Sequence, residues 1–159
     1  MHTILSEAQQ TRMSTQKAVS AGIAVLLLAG AVSAQAVYQP KFKDDAARSD
    51  SEFITIAYMK TFLRAQHLYK KKNGHYADSL KQLAKTGSFT PRMTNPDRGD
   101  YTVKFRVHKD KDTFELTMVP KQEDATHRSF FADQEGTMRV AEDGEANETS
   151  PLLKPDNAS

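Results

Sequence analysis

A segment with neither glycine nor proline, from Ser49 to Lys72, constrains the fold most. Its first residues have the spacing of a capping box, with Ser49 as N-cap and Glu52 at position N3. Three lysines precede Asn73-Gly74, where the helix dipole favours cations and a left-handed C-cap ends the helix. The sequence therefore predicts a helix of about 22 residues, and the rest of the domain must bury one face of it.

The apolar residues of this helix fall into two sets at about 100° per residue. The larger set is predicted to face the core and consists of Ile54, Tyr58, Thr61, Phe62, Ala65, Leu68 and Tyr69. The second set, Ile56, Met59 and Leu63, falls on the opposite side. A helix on one sheet buries a single face, so the second set requires another cover. The chain's own loops are one cover that would meet this requirement, and a partner-binding surface is the other hypothesis.

The N-terminal segment has the pattern of an export signal. Arg12 and Lys17 precede an uncharged stretch from residue 18 to 32, and Ala34-Gln35-Ala36 follows as a small-x-small cleavage site. Cleavage is predicted after Ala36 or, as an alternative, after Ala34. An uncleaved anchor is a second alternative, since residues 18–38 span about 30 Å as a helix. In each case residues 1–36 direct the chain to the periplasm or outside the cell, with inner-membrane attachment only through residues 18–38.

Alternating apolar residues predict a small antiparallel sheet after the long helix. Ser79 caps a short helix that Gly87 ends. Residues 101–107 and 114–118 form a hairpin whose register places Arg106 opposite Glu115. The same register places Val107 opposite Phe114, Phe105 opposite Leu116 and Val103 opposite Met118. Residues 129–132 and 137–140 form a second hairpin. The predicted class is α+β, with one long N-terminal amphipathic helix and a short helix packed on this sheet.

These signals divide the chain into four parts. Residues 1–36 are the signal peptide or signal anchor, and residues 37–50, which contain Pro40 and have no period, are a linker. Residues 51–141 form the α+β domain. Residues 142–159 are acidic, contain two prolines, and are predicted to be a flexible tail.

Short motifs in the domain resemble type IV pilin-like proteins and type II secretion pseudopilins. The long helix ends in Tyr69 and then Asn73-Gly-His-Tyr76, and a Ser79-Leu-x-x-Leu83 helix follows. The segment from Phe130 to Arg139 is similar to the late strand–turn–strand of that family, and Ser150-Pro-Leu152 to the end of some such chains. The prepilin processing motif is missing before the apolar stretch. The resemblance thus implies a free or anchored domain with a pilin-like head rather than a pilus-shaft subunit.

The sequence nominates only weak ligand sites. Asp133 and Glu135, with Asp143 and Glu145, are a candidate for weak calcium binding, although neither pair matches the twelve-residue calcium loop. His67, His75 and His108 are more simply interpreted as surface residues. The absence of cysteine excludes thiolate sites, and no catalytic motif is present, so we expect a protein that is not an enzyme and has no cofactor. A net charge of +2 without tryptophan argues against a nucleic-acid partner.

The sequence leads to two functional expectations. The first is an exported, non-catalytic structural or interaction domain with a protein partner or self-association, of a kind associated with secretion or pilus-type assemblies. The second is a soluble periplasmic binding module for a small ligand or calcium.

Overall fold

A helix of 24 residues and an antiparallel meander make up most of the regular structure. The computed structural model describes residues 37–155. The elements are α1 (Asp50–Asn73), α2 (Leu80–Leu83), a 3-10 turn (Pro91–Thr94), β1 (Asp97–Arg98), β2 (Tyr101–Val107), β3 (Phe114–Pro120), β4 (Ser129–Asp133) and β5 (Met138–Ala141). Each strand pairs antiparallel with the next one along the chain. The predicted α+β class is confirmed at this level.

Both ends of α1 lie where their capping residues predict. The Ser49 hydroxyl accepts a hydrogen bond from the Glu52 backbone N–H at 3.1 Å. Gly74 has φ 79°, and its N–H donates to the carbonyl of Lys70 at 2.8 Å. Glu52 departs from a simple capping box in one hydrogen bond. Its carboxylate accepts the backbone N–H of Arg48 at 2.8 Å, one residue before the N-cap.

The predicted register of the first hairpin is confirmed. Arg106 lies opposite Glu115, and their side chains form an ion pair at 2.6 Å. The three predicted apolar pairs, Val107–Phe114, Phe105–Leu116 and Val103–Met118, are also present. A slip of one residue would have turned all of these apolar side chains to the other face.

The core lies between α1 and one face of the sheet. Phe62 is completely buried at its centre, and its ring meets Phe105 at 4.9 Å, Phe114 at 5.7 Å and Phe89 at 6.2 Å between centroids. These rings meet edge to face, an arrangement that favours aromatic pairs beyond their buried area.

The rotation of α1 about its axis differs from the prediction. Ile54 and Leu68, expected in the core, are 60 % and 42 % exposed. Met59 is completely buried, Ile56 is buried, and Leu63 packs against the same core. Core residues of β2 to β5 pack with Ala47, Ala77, Leu83 and Phe89 against a wide arc of α1, so the second apolar set belongs to the core. The hypothesis that Ile56, Met59 and Leu63 form a partner surface is thereby corrected, and cover by this chain is the alternative that holds.

The predicted acidic tail is packed over the part that the structure describes. The Val140 N–H donates to the carbonyl of Pro151, and the Leu153 N–H donates to that of Met138, both at 2.9 Å. Ala146 is buried, and its N–H donates to the hydroxyl of Ser129 at 2.7 Å. The segment pairs with β5 because that strand otherwise exposes unpaired backbone groups at the sheet edge. Flexibility was therefore the wrong prediction for residues 142–153.

Candidate interaction surface

Charge is distributed unevenly along the domain. The segment from Asp50 to Pro96, which holds α1, α2 and the 3-10 turn, contains eight lysines and arginines and three acidic residues, Asp50, Glu52 and Asp78. Residues 132–155 contain six acidic and two basic residues. The helical layer is therefore the basic side of the domain, and its potential attracts anionic groups.

One side of α1 is exposed along most of its length. We name it the helix face and define it by residues that follow one another around that side: Ile54, Ala57, Lys60, Arg64, Leu68 and Lys71. The helix is about 36 Å long at 1.5 Å per residue. The helix face thus combines apolar side chains with a row of cations, which is the composition of an interaction surface rather than of a core face.

The cations of the helix face have no acidic partners in residues 37–155. Arg64 and Lys71 form no ion pair there, and the Lys60 ammonium lies 5.6 Å from the ring centroid of Phe42. Lys70, at the margin, differs because it pairs with Asp112 at 3.2 Å. The positive potential of the helix face is therefore not neutralised by the domain itself.

The predicted linker is a folded arm beside α1. The Asp45 carboxylate accepts the hydroxyl of Tyr38 at 2.5 Å and the N–H groups of Lys41 and Ala47 at 2.8 and 3.1 Å. Burial alone would raise the pKa of Asp45, but these hydrogen bonds hold it below its ordinary value. Ala47 packs into the core. Residues 38–48 consequently belong to the domain, and the linker prediction is corrected.

The arm adds aromatic surface to the helix face. The ring of Phe42, which is 48 % exposed, packs against Phe53 with centroids 6.1 Å apart. The Lys41 ammonium lies 4.4 Å from the Phe53 centroid and also pairs with Asp50 at 2.6 Å. Cations over aromatic rings are attracted by the ring quadrupole, so this contact orders the arm against the helix.

A buried ion pair fixes the N-terminal end of α1 to the sheet. The Arg128 guanidinium donates to both carboxylate oxygens of Glu52, through Nε at 2.9 Å and Nη2 at 2.7 Å. The Arg128 backbone N–H donates to Glu52 at 3.0 Å, and Nη2 also donates to the carbonyl of Ala46 at 2.7 Å. The sequence indicates only a capping role for Glu52, because no sequence pattern points to a partner 76 positions away.

A histidine lies between two carboxylates near the start of α1. His127 Nδ1 contacts Asp124 at 2.8 Å, and Nε2 lies 3.5 Å from Asp100. Burial alone would lower the pKa of His127, but the hydrogen bond and charge of Asp124, with those of Asp100, raise it. Hydrogen bonds from Thr126 lower the pKa of Asp124 to about 2. The hydrogen bond of Ser51 is the largest cause that lowers the pKa of Asp100.

The acidic residues predicted to bind calcium have local roles. Asp133 accepts the N–H of Glu135 at 2.9 Å within the β4–β5 turn, and Glu145 pairs with Lys104 of β2. Asp143 is exposed at the loop after β5. Among residues 37–155, no three histidine, aspartate or glutamate side chains come together as a metal site. Between residues 37 and 155, Asp133, Glu135, Asp143 and Glu145 therefore do not converge with a third ligand into a calcium site.

A cavity of about 460 Å³ opens at the C-terminal end of α1. It is lined by Leu68, Tyr69, Lys72, Asn73, Lys85 and Thr86. The lining thus includes two lysines and an asparagine beside Leu68, and this combination suits a small anionic ligand.

Comparison with protein families, with curated proteins and with solved structures finds no match for this chain. Within the described range, no helix is long and apolar enough to cross a bilayer. Ala34 and Ala36 of the predicted cleavage site lie outside the described residues.

Proposed function

We propose that this chain is an exported, non-catalytic interaction domain with a pilin-like head, which serves a secretion or pilus-type assembly through its helix face. The sequence motifs that resemble pilins support the head, and the order of one long helix before an antiparallel meander is compatible with it. The export signal predicted in residues 1–36 supports the compartment.

The observation that carries the proposal is the row of unneutralised cations on the helix face. Like charges along one helix side destabilise the isolated domain slightly, by a few tenths of a kcal/mol per neighbouring pair. Contact with an anionic surface removes this repulsion and covers Ile54 and Leu68 as well. The helix face therefore has both the charge and the apolar area for binding.

The compartment is tested by the mature N-terminus. Mass spectrometry on protein from the native host, with membrane and soluble fractions kept apart, measures it directly. We expect a chain that starts at Val37 or one that retains residues 18–36 in the membrane fraction. A soluble cytoplasmic chain with an intact N-terminus would contradict export.

The interaction role is tested by photo-crosslinking in that host. p-Benzoylphenylalanine in place of Ala57, on the helix face, is expected to form adducts, whereas the same group in place of Thr149, on the opposite side of the sheet, is not. Arg64→Glu with Lys71→Glu should remove the adducts. Lys109→Glu with Lys154→Glu is the matched control, because both residues are exposed and form no ion pair in the described part of the chain. An adduct yield at position 57 no higher than at 149 would contradict the proposal.

The second candidate function is a periplasmic binding module for a small ligand, and the cavity beside Lys72 and Lys85 favours it. Citrate and inorganic phosphate are suitable probes because both are small anions. We expect either to raise the melting temperature of the full chain and Lys85→Glu to abolish the effect. Calcium is the other ligand of this hypothesis, and a calcium titration that leaves the melting temperature unchanged would contradict that version.

A further inference from the structure

We infer that the helix face and the arm beside it seat the domain on the surface of an anionic lipid bilayer. This inference rests on the proposed interaction role of the helix face and names its partner. The contact surface comprises the six residues of the helix face together with Val37, Phe42 and Phe53.

The folded arm adds exposed apolar side chains beside the helix face. Val37 and Phe42 are 82 % and 48 % exposed. Tyr38 and Lys41 are held by Asp45, so the arm is fixed to the domain. The ring of Phe42 lies against Phe53 and 5.6 Å from the Lys60 ammonium, so it belongs to the same surface as the helix face.

The chemistry of the surface suits the interfacial region of a membrane. Phe42 and Ile54 are exposed apolar groups, and Lys60, Arg64 and Lys71 extend from the same side of α1. An amphipathic helix with cations beside apolar residues lies in the plane of the interface. Each basic residue near an anionic leaflet strengthens binding by about fivefold.

Acidic residues do not oppose this contact along α1. From Phe53 to the end of the helix there is no aspartate or glutamate. Asp44 of the arm is exposed, and Asp50 at the start of α1 is exposed but pairs with Lys41. Asp97 and Asp100 border a groove with Ile54 at that end, where Asp97 pairs with Lys121 and Asp100 lies 3.5 Å from His127. The unpaired charge along the helix face itself is thus positive.

A second copy of the chain is the less favoured occupant. Its acidic side is partly neutralised, because Glu142 pairs with Arg48 and Glu145 pairs with Lys104. Asp133, Glu135, Asp143 and Glu148 remain there without ion pairs in the described residues. These four carboxylates are divided between the β4–β5 turn and the loop after β5, so they match a straight row of cations less well than an anionic leaflet, which offers phosphates along the whole helix.

The absence of cysteine allows a direct test on the full chain. Ala57→Cys on the helix face and Thr149→Cys on the opposite side each receive a spin label. The labelled chains are reconstituted into vesicles of phosphatidylcholine alone or of phosphatidylcholine with phosphatidylglycerol. Residues 1–36 are equally available to both vesicles, so a difference in label accessibility reports the position of the folded domain.

We expect a several-fold loss of collisions with a water-soluble nickel chelate at position 57 in the anionic vesicles alone. Salt at about 1 M, where charges are screened beyond about 3 Å, should restore them. Arg64→Glu with Lys71→Glu should abolish the protection, and Lys109→Glu with Lys154→Glu should retain it. Circular dichroism checks that each variant is folded.

Three results would overturn the inference: equal accessibility of position 57 in both vesicles, equal protection of positions 57 and 149, or protection that grows with protein concentration without vesicles. The last result would identify a second copy as the occupant. Crosslinking of Ala57 to protein in the host, without protection on vesicles, would retain the proposed function and reject the bilayer.

Discussion

The two sides of α1 differ in whether their charged side chains are paired. On the inner side, Glu52 is completely buried, and its carboxylate receives two backbone N–H groups and two donors of the Arg128 guanidinium. On the outer side, Lys60, Arg64 and Lys71 have no acidic partner in the described residues. A buried charge is tolerated only when it is paired, whereas an exposed charge needs no partner for stability.

This difference separates residues that hold the fold from residues available for binding. The Glu52–Arg128 pair joins the start of α1 to the start of β4 and also holds the carbonyl of Ala46 in the arm. Its rigidity positions the arm and therefore Phe42 beside the helix face. The outer cations depend on that framework but contribute little to it.

The largest effect is expected from breaking the inner pair. Arg128→Met leaves the Glu52 carboxylate buried without its cation, which should lower the free energy of unfolding by about 3–5 kcal/mol. Urea unfolding followed by circular dichroism measures it. Arg106→Met, which breaks the exposed pair with Glu115, is the control and should cost less than about 1 kcal/mol.

The double change Glu52→Met with Arg128→Met sharpens this test. It removes both charges, so part of the stability lost in Arg128→Met should return. Equal losses in Arg128→Met and Arg106→Met would show that the contrast between buried and exposed charges does not hold here.

A second test concerns apolar residues on the two sides of α1. Met59→Ala opens a cavity in the core and should cost about 2–5 kcal/mol, whereas Ile54→Ala should change stability by no more than about 0.5 kcal/mol. Urea midpoints of the two variants give the comparison. A larger loss for Ile54→Ala would mean that the core faces the side of α1 that the sequence analysis first assigned.

Local signals in the sequence predicted local structure well. Ser49 and Gly74 set the ends of α1, and the turn from Lys109 to Asp112 with the alternating apolar residues on either side set the register of β2 and β3. Each of these signals depends on neighbours in the chain or on one hairpin. Local sequence patterns were therefore enough to place these elements and to identify which face of the first hairpin lies in the core.

Long-range contacts were not predictable in the same way. The apolar residues of α1 extend around more than one face, so periodicity alone could not decide whether Ile54 or Met59 meets the sheet. The arm and the acidic segment were predicted as irregular because they lack a period. They fold because Asp45 and Ser129 supply side-chain acceptors to backbone N–H groups, which the sequence pattern does not reveal.

A third test examines the packed acidic segment. Ser129→Ala removes the acceptor of the buried Ala146 N–H, so it should cost about 1–3 kcal/mol. Hydrogen exchange should accelerate across residues 145–150, and the helix face should be unaffected. Thr149→Ala, at an exposed position, is the control and should leave the exchange of Ala146 slow. Unchanged exchange in Ser129→Ala would mean that the segment is held by other contacts.

The smallest effect is expected from the protonation of His127, whose imidazole is partly exposed to solvent. Its pKa in the folded domain lies above the ordinary value of 6.5, so protonation favours the folded state. This contribution is fully present below about pH 6.5 and is lost as the pH rises through the folded pKa. His127→Gln keeps a polar side chain but cannot become charged, so the urea midpoint of the native chain should approach that of the variant between about pH 6 and pH 8. Asp124 does not change its charge in this range because its pKa is about 2. If the difference in urea midpoint between the native chain and His127→Gln stayed constant with pH, the two carboxylates would hold the imidazole through hydrogen bonds alone. The site would then have a structural role, like the Glu52–Arg128 pair.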